Sequence, residues 1–274
     1  MEFGICNELF EGWEFEDVCH FVKGAGYFGL EVAPFTLAPL ITDVPRARRL
    51  ELRQQASDAG VEIFGLHWLL AKTEGFYLTS PDKEVRKQTA AYLGALAKAC
   101  QDFGGNLMVF GSPKQRSLLP GVSQEQGYEW AADTFRQAMP AIADAGVTLC
   151  MEPLSPAETD FDNTCADALR LAEMVGHPNI VLHLDVKAMH SEPTPPTDLI
   201  RKYGAKAGHF HVNDPNLRGP GFGEVDFVPI FEAIADSGYD RWVSLEVFDY
   251  KPDPETIARK SIEYMKACLS QVAR

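Results

Sequence analysis

Four apolar runs in the second half of the chain each close on an ionisable side chain: VTLCMEP on Glu152, IVLHLDV on Asp185, GHFHVND on His211 and WVSLEVF on Glu246. Such a group at the end of an apolar strand is costly unless something offsets its burial. Three carboxylates and one imidazole make a hard, oxygen-rich donor set. That set suits Mn2+, Mg2+ or Co2+ better than a structural zinc, which prefers thiolates. Brought together, the carboxylates would also repel one another without a cation. The four residues are therefore read as ligands of one divalent cation, Mn2+ first and Mg2+ or Co2+ as alternatives. Ion pairing with Lys187, Lys114 or Arg116 is the structural alternative.

Other residues fall near the same strand ends. Lys114, Gln115 and Arg116 follow the fourth apolar run as a basic cluster, suited to a phosphate, a carboxylate or the distant hydroxyls of a larger molecule, or else a solvated loop. His67 ends the third run, as a pocket residue or a core histidine. His209 lies two residues before His211, on the same face of a strand, and is read as supporting the ligands from behind. Earlier runs end near Glu8 and Glu31, whereas His20, His177 and His183 read as structural. Trp68, Phe76, Tyr77, Phe222 and Phe248 are candidates for an apolar wall of the pocket, or else for core packing.

The elements that must position these groups alternate along the chain. Candidate strands occupy 2–6, 28–33, 61–68, 106–111, 147–152, 180–185, 207–212 and 242–247. Helical periodicity appears between them, as at 45–59 and 82–102, the second opening on Ser80-Pro81 as N-cap and first-turn proline. Glycines at 26, 60, 104–105, 146 and 238 stand where a left-handed cap would turn a helix back toward a strand. Eight strand–helix alternations imply parallel βαβ units, and a closed (β/α)8 barrel needs about 250 residues. A doubly wound sheet would carry a Gly-rich phosphate loop after its first strand, but Asn7-Glu8-Leu9-Phe10-Glu11-Gly12 is not one. The expected architecture is an α/β TIM barrel forming a single domain over 1–274, with its active site at the carboxyl ends of the strands.

Composition narrows the partners. The 274 residues carry a formal charge of -14, which offers no basic face to nucleic acid or anionic lipid. Cys6, Cys19, Cys100, Cys150, Cys165 and Cys268 are scattered without a CxxC pair and read as buried free thiols. The start, MEFGICNELFEGWEF, shows neither a basic nor an apolar leader region, and no apolar run reaches the length of a membrane span. A cytoplasmic protein with a small-molecule partner is expected.

Glu152, Asp185, His211 and Glu246, in this order, resemble the metal site of the xylose-isomerase-like barrels that include the ketose 3-epimerases of the D-tagatose 3-epimerase type. The resemblance extends through TSPDKEVRKQTAAYLGALAKAC, MEPLSPAETDFDNTCADAL and HFHVNDPNLRGPGFGEVDFVPIF. It implies a sugar substrate, Glu152 and Glu246 as both ligands and acid/base residues, and Glu158 as a substrate contact. The cation would polarise a ketone while one glutamate removes the neighbouring proton and the other returns one. Two departures concern the substrate. The family's histidine three beyond the aspartate is Ala188 here. Its arginine directly after an asparagine is displaced: Leu217 follows Asn216, and Arg218 comes one later. Lys187 and His190 are candidates to take over. The resemblance implies an isomerase or epimerase, with a lyase acting on 3-keto-glycosides as the alternative. An abasic-site nuclease of the same barrel would want ligands where Val109 and Ala188 stand, and a non-catalytic sugar-binding barrel would need no cation. The family's habit of forming dimers or tetramers implies a homo-oligomer.

Overall fold

Short β-branched and apolar runs bounded by polar turns form eight strands: β1 (Glu2–Cys6), β2 (Gly29–Val32), β3 (Glu62–Leu66), β4 (Leu107–Phe110), β5 (Thr148–Met151), β6 (Ile180–Asp185), β7 (Ala207–Val212) and β8 (Trp242–Leu245). In this computed structural model, which describes residues 1–272, they form a closed parallel barrel in sequence order. β8 closes it on β1, pairing Phe3 with Val243 and Ile5 with Leu245. The strands are shorter than their apolar runs. The terminal residues of several runs, including His67, Glu152 and Glu246, leave the ladder and stand at its carboxyl rim.

Helices α1 (Phe15–Ala25), α2 (Arg46–Asp58), α3 (Lys83–Phe103), α4 (Gln124–Asp144), α5 (Cys165–Val175), α6 (Val186–Met189), α7 (Pro196–Tyr203), α8 (Val228–Asp236) and α9 (Pro254–Leu269) complete the crossovers. The start of α3 differs from the expected Ser80-Pro81 cap. Asp82 is the N-cap, its carboxylate accepting from the Glu84 N–H, because its short acidic side chain reaches that orphan donor while Pro81 stays outside the helix. Gly26 and Gly104 take φ of +101° and +96° at helix ends, where a side chain would be strained. All six cysteines are free and buried. Among the described residues no helix is long and apolar enough to cross a membrane.

The barrel interior is divided by height. Phe64, Leu107, Val109 and Cys150 make an apolar plug at the amino-terminal half, with Phe64 stacked on Trp242 at 4.6 Å between ring centroids. Above them the interior is polar: Cys6, Glu31, His183, His209 and His211 are all buried. Register shifts interrupt the ladders between Leu30 and Glu31 and between Leu182 and His183. Such irregularities re-aim side chains, and here both fall at the level where the polar layer begins.

Candidate active site and metal centre

The carboxyl ends of β5, β6, β7 and β8 bring Glu152, Asp185, His211 and Glu246 together, one ligand atom of each lying within 4.8 Å of the others. All four are buried. His211 Nδ1 and Glu246 Oε2 approach to 3.1 Å, yet neither atom has an aligned hydrogen-bond partner. Buried polar atoms are rarely left so, and donors converging on a cation are one way to explain it. The residues present fit a divalent ion.

Each of the four side chains is held from behind. Asp185 caps α6, its Oδ1 accepting from the Ala188 N–H at 2.6 Å and its Oδ2 from Asn213 Nδ2 at 2.6 Å. His211 Nε2 lies 3.1 Å from Glu31 Oε2, which also meets His209 Nε2 at 2.9 Å. His209 thus stands behind the imidazole through a shared carboxylate. Glu246 Oε1 accepts from the Trp68 indole at 2.8 Å and lies 3.4 Å from His67 Nδ1. Trp68 holds this position at φ +50°, a left-handed conformation that costs a non-glycine residue about 1–3 kcal/mol. Glu152 depends on a neighbour with no side chain. A β-carbon on Gly111 would run into its carboxylate. Gly111→Ala is therefore expected to displace Glu152 and lower kcat by about 100-fold while the circular dichroism stays unchanged; wild-type kcat in the alanine variant would show that the carboxylate has room to move.

The environment separates the two glutamates. Burial drives the Glu152 carboxyl well above the usual range, and the charges of Glu246 and Asp185 add to it. Burial acts on Glu246 in the same sense, but the adjacent His211 and His67 outweigh it and hold that carboxyl well below the usual range. Without a cation, these surroundings bias the two carboxyls toward opposite protonation states.

The residues expected to grip substrate fare differently. Lys187 Nζ pairs with Glu158 Oε1 at 2.7 Å and lies 4.4 Å from the centroid of the Phe248 ring. Phe248 in turn stacks on Trp68, so these four side chains roof the cluster. Arg218 Nε donates to Asp249 Oδ2 at 3.2 Å on the rim. The Leu217 carbonyl accepts from both Phe248 and Asp249 N–H groups at 2.8 Å, tying the loop after β7 to the loop after β8. His190 Nδ1 lies 2.7 Å from the Val186 carbonyl, within its own turn. Phe76 stacks on Tyr92 at 4.4 Å, against the core.

Arg116 is not an open basic grip. Its side chain is completely buried, donating to the Glu152 carbonyl at 2.6 Å and the Asp162 carbonyl at 3.2 Å, with Asp162 Oδ2 at 3.8 Å. It braces the backbone of Glu152, while Lys114 projects outward to solvent. Burial raises the Asp162 carboxyl to about 7, Arg116 offsetting only part of it. A folded-state value above the unfolded 3.8 means that this group's contribution to stability is complete below pH 4 and lost as pH rises toward 7. Asp162→Asn is expected to remove that loss. The variant's stability relative to wild type should then improve by up to about 4 kcal/mol between pH 4 and pH 7.5 in urea titrations. A difference that stays constant across that range would show the carboxyl ionised throughout.

His183, expected to be structural, belongs to the polar layer: its Nε2 lies 4.0 Å from Glu152 Oε1. Two residues before Asp185, it shares that residue's inward face, the same parity that marked His209. Asn213, Glu8, Glu31 and Cys6 were also missed as site residues. Glu8 and Glu31 carried the same signal as Glu152, Asp185 and Glu246, an acid at or near the end of an apolar run. A second opening, of about 610 Å³, lies at the amino-terminal end of the barrel beside Glu2, Thr148 and Trp242, away from all these groups.

Residues 19–268 match the family described as xylose isomerase-like TIM barrel. The chain belongs to that family. Among members of the xylose isomerase-like family it is 26% identical over 253 residues to a D-psicose 3-epimerase of Ruminiclostridium cellulolyticum, covering 90% of this chain and 84% of that one. It is 30% identical over 185 residues to an L-ribulose 3-epimerase of Mesorhizobium japonicum, covering 67% of this chain and 62% of the relative. The solved structure of D-psicose 3-epimerase with D-tagatose from Clostridium cellulolyticum H10 superposes with a TM-score of 0.86 at 21% identity, over 98% of this chain and 99% of that one. These relatives are enzymes that epimerise sugars.

Proposed function

We propose that this xylose isomerase-like barrel is a divalent-cation-dependent ketose 3-epimerase. The observation that carries the reading is the convergence of Glu152, Asp185, His211 and Glu246 at the carboxyl rim of the barrel. The epimerase relatives support it, and nothing in the site favours elimination from a 3-keto-glycoside.

A cation held by these four residues would supply positive charge beside the ketone and the neighbouring hydroxyl, lowering the cost of an enediolate. The remaining work falls to the chain itself. The Glu246 carboxylate, steadied by Trp68 and His67, takes the proton from C3, and the electron pair moves onto the C2 oxygen. The Glu152 carboxylic acid returns a proton to C3 from the opposite face, and the C2 carbonyl re-forms with inverted configuration at C3. Glu158 and Lys187, locked to each other at the rim, would face the carbonyl end of the sugar. The half-buried Trp68–Phe248 stack limits the access of water that would otherwise protonate the intermediate.

The test is a panel of free ketoses, ketose phosphates and 3-keto-glycosides incubated with Mn2+, with products read by NMR and mass. A C3 epimer of unchanged mass from a ketose is expected. Aglycone release from the keto-glycosides without any ketose epimer would replace this reading with the elimination.

A further inference from the structure

Beside the first cluster, and touching it through Glu246, lies another group of donors that the epimerase reading does not use. We propose that Cys6, Glu8, His67 and Glu246 form a second cation site, suited to a borderline-soft divalent ion such as Zn2+ or Co2+. The inference rests on the proposed function only in that Glu246 serves both sites. One ligand atom of each residue lies within 4.8 Å of the others, and all four side chains are buried.

Three observations point to an ion rather than to ordinary pairing. Glu8 is 1% exposed, and neither of its carboxylate oxygens has an aligned hydrogen-bond partner. His67 Nε2 stands 2.9 Å from Glu8 Oε2, yet it too lacks an aligned partner. This repeats the signature of His211 and Glu246 in the first cluster, where close donors also miss each other's hydrogen-bonding direction. Secondly, the upper barrel buries five carboxylates, on Glu8, Glu31, Glu152, Asp185 and Glu246. A cation in the first cluster takes no ligand from Glu8, whose ion-pair partner is then the equally buried His67. Thirdly, the donor type changes. The first cluster has no sulfur, whereas the second adds a thiol at the end of β1 to an imidazole and two carboxylates. Four donors of that mixture match a tetrahedral zinc or cobalt centre rather than magnesium.

Local sequence explains the placement. Cys6 ends β1 facing inward, and the 3-10 turn Asn7–Phe10 swings Glu8 back over it. His67 arrives from the end of β3. The Cys6 thiol must lose its proton to ligate an ion. Binding would exchange that proton for the cation and release it to solvent.

The experiment is a Co2+ titration of the metal-free protein, followed by absorbance and by metal content after desalting. Two equivalents are expected, one accompanied by a thiolate-to-cobalt charge-transfer band in the near ultraviolet. Cys6→Ser should lose the band and one equivalent. Glu8→Gln, which keeps the thiol, should lose the same equivalent, and Asp185→Asn should lose the other while keeping the band. One equivalent without the band, or a band that survives in Cys6→Ser, would overturn the second site and leave His67 as a hydrogen-bonded bridge between two carboxylates. A band-bearing equivalent with no Asp185-dependent equivalent beside it would instead count against the first site, so the two readings fail separately.

Discussion

Glu246→Gln is expected to lower kcat on the active ketose by about 100- to 10,000-fold, the range that a positioned general base contributes. Glutamine keeps the size of the side chain and an oxygen to accept from the Trp68 indole, which is 2.8 Å away. What it removes is the negative charge, which His211 and His67 hold in place at neutral pH. The amide cannot take a proton from C3, and it also weakens the cation site, so both kcat and metal affinity should fall. Glu152→Gln should cost a similar factor for a different reason: it leaves the base intact but removes the acid that completes inversion. If Glu152→Gln still exchanges the C3 proton with deuterium from solvent while forming no epimer, the division of labour is as proposed. Retention of more than a tenth of wild-type turnover in either variant would remove that glutamate from the mechanism.

Exhaustive chelation is expected to abolish turnover, and Mn2+, Co2+ or Mg2+ to restore it. Without an ion, Glu152, Asp185 and Glu246 face one another in a buried site, and burial raises the carboxyls of Glu152 and Asp185. A cation offsets that repulsion directly, so its removal should be visible in stability as well as activity. An ion present at about 100 times its Kd stabilises the folded state by about 2.7 kcal/mol, and the melting temperature should fall accordingly on chelation. Full activity in excess chelator would sink the metal reading, whatever the melting curve shows.

How far these features were legible in the sequence depended on where a residue's partners lie. The barrel followed from alternating runs, because parallel pairing of consecutive strands needs a crossover between each pair, and the helical segments supply it. Glu152, Asp185, His211 and Glu246 were legible for the same reason: a strand end in a barrel has one destination. Arg116 was not. It follows β4 as the other rim residues follow their strands, but its direction is set by the carbonyls of Glu152 and Asp162, 36 and 46 positions away. No local pattern encodes that contact. Glu8 and Glu31 were visible but unassigned, since an acid near a strand end becomes part of a site only when closure of β1 against β8 brings it beside the others. The substitution of Ala188 for the family's histidine was also legible. The Lys187–Glu158 pair against Phe248 was not, because it joins residues that follow three different strands.

The Leu217 carbonyl, which receives the N–H groups of both Phe248 and Asp249, bears on any attempt to redesign this barrel. Leu217 and Arg218 come from one crossover, Phe248 and Asp249 from the next, and Arg218 is fastened to Asp249 as well. The two segments therefore behave as one inheritable unit. Transplanting either from a relative with a different sugar preference would strand the hydrogen-bonding groups of the other, whereas moving both together carries the rim of the pocket across intact.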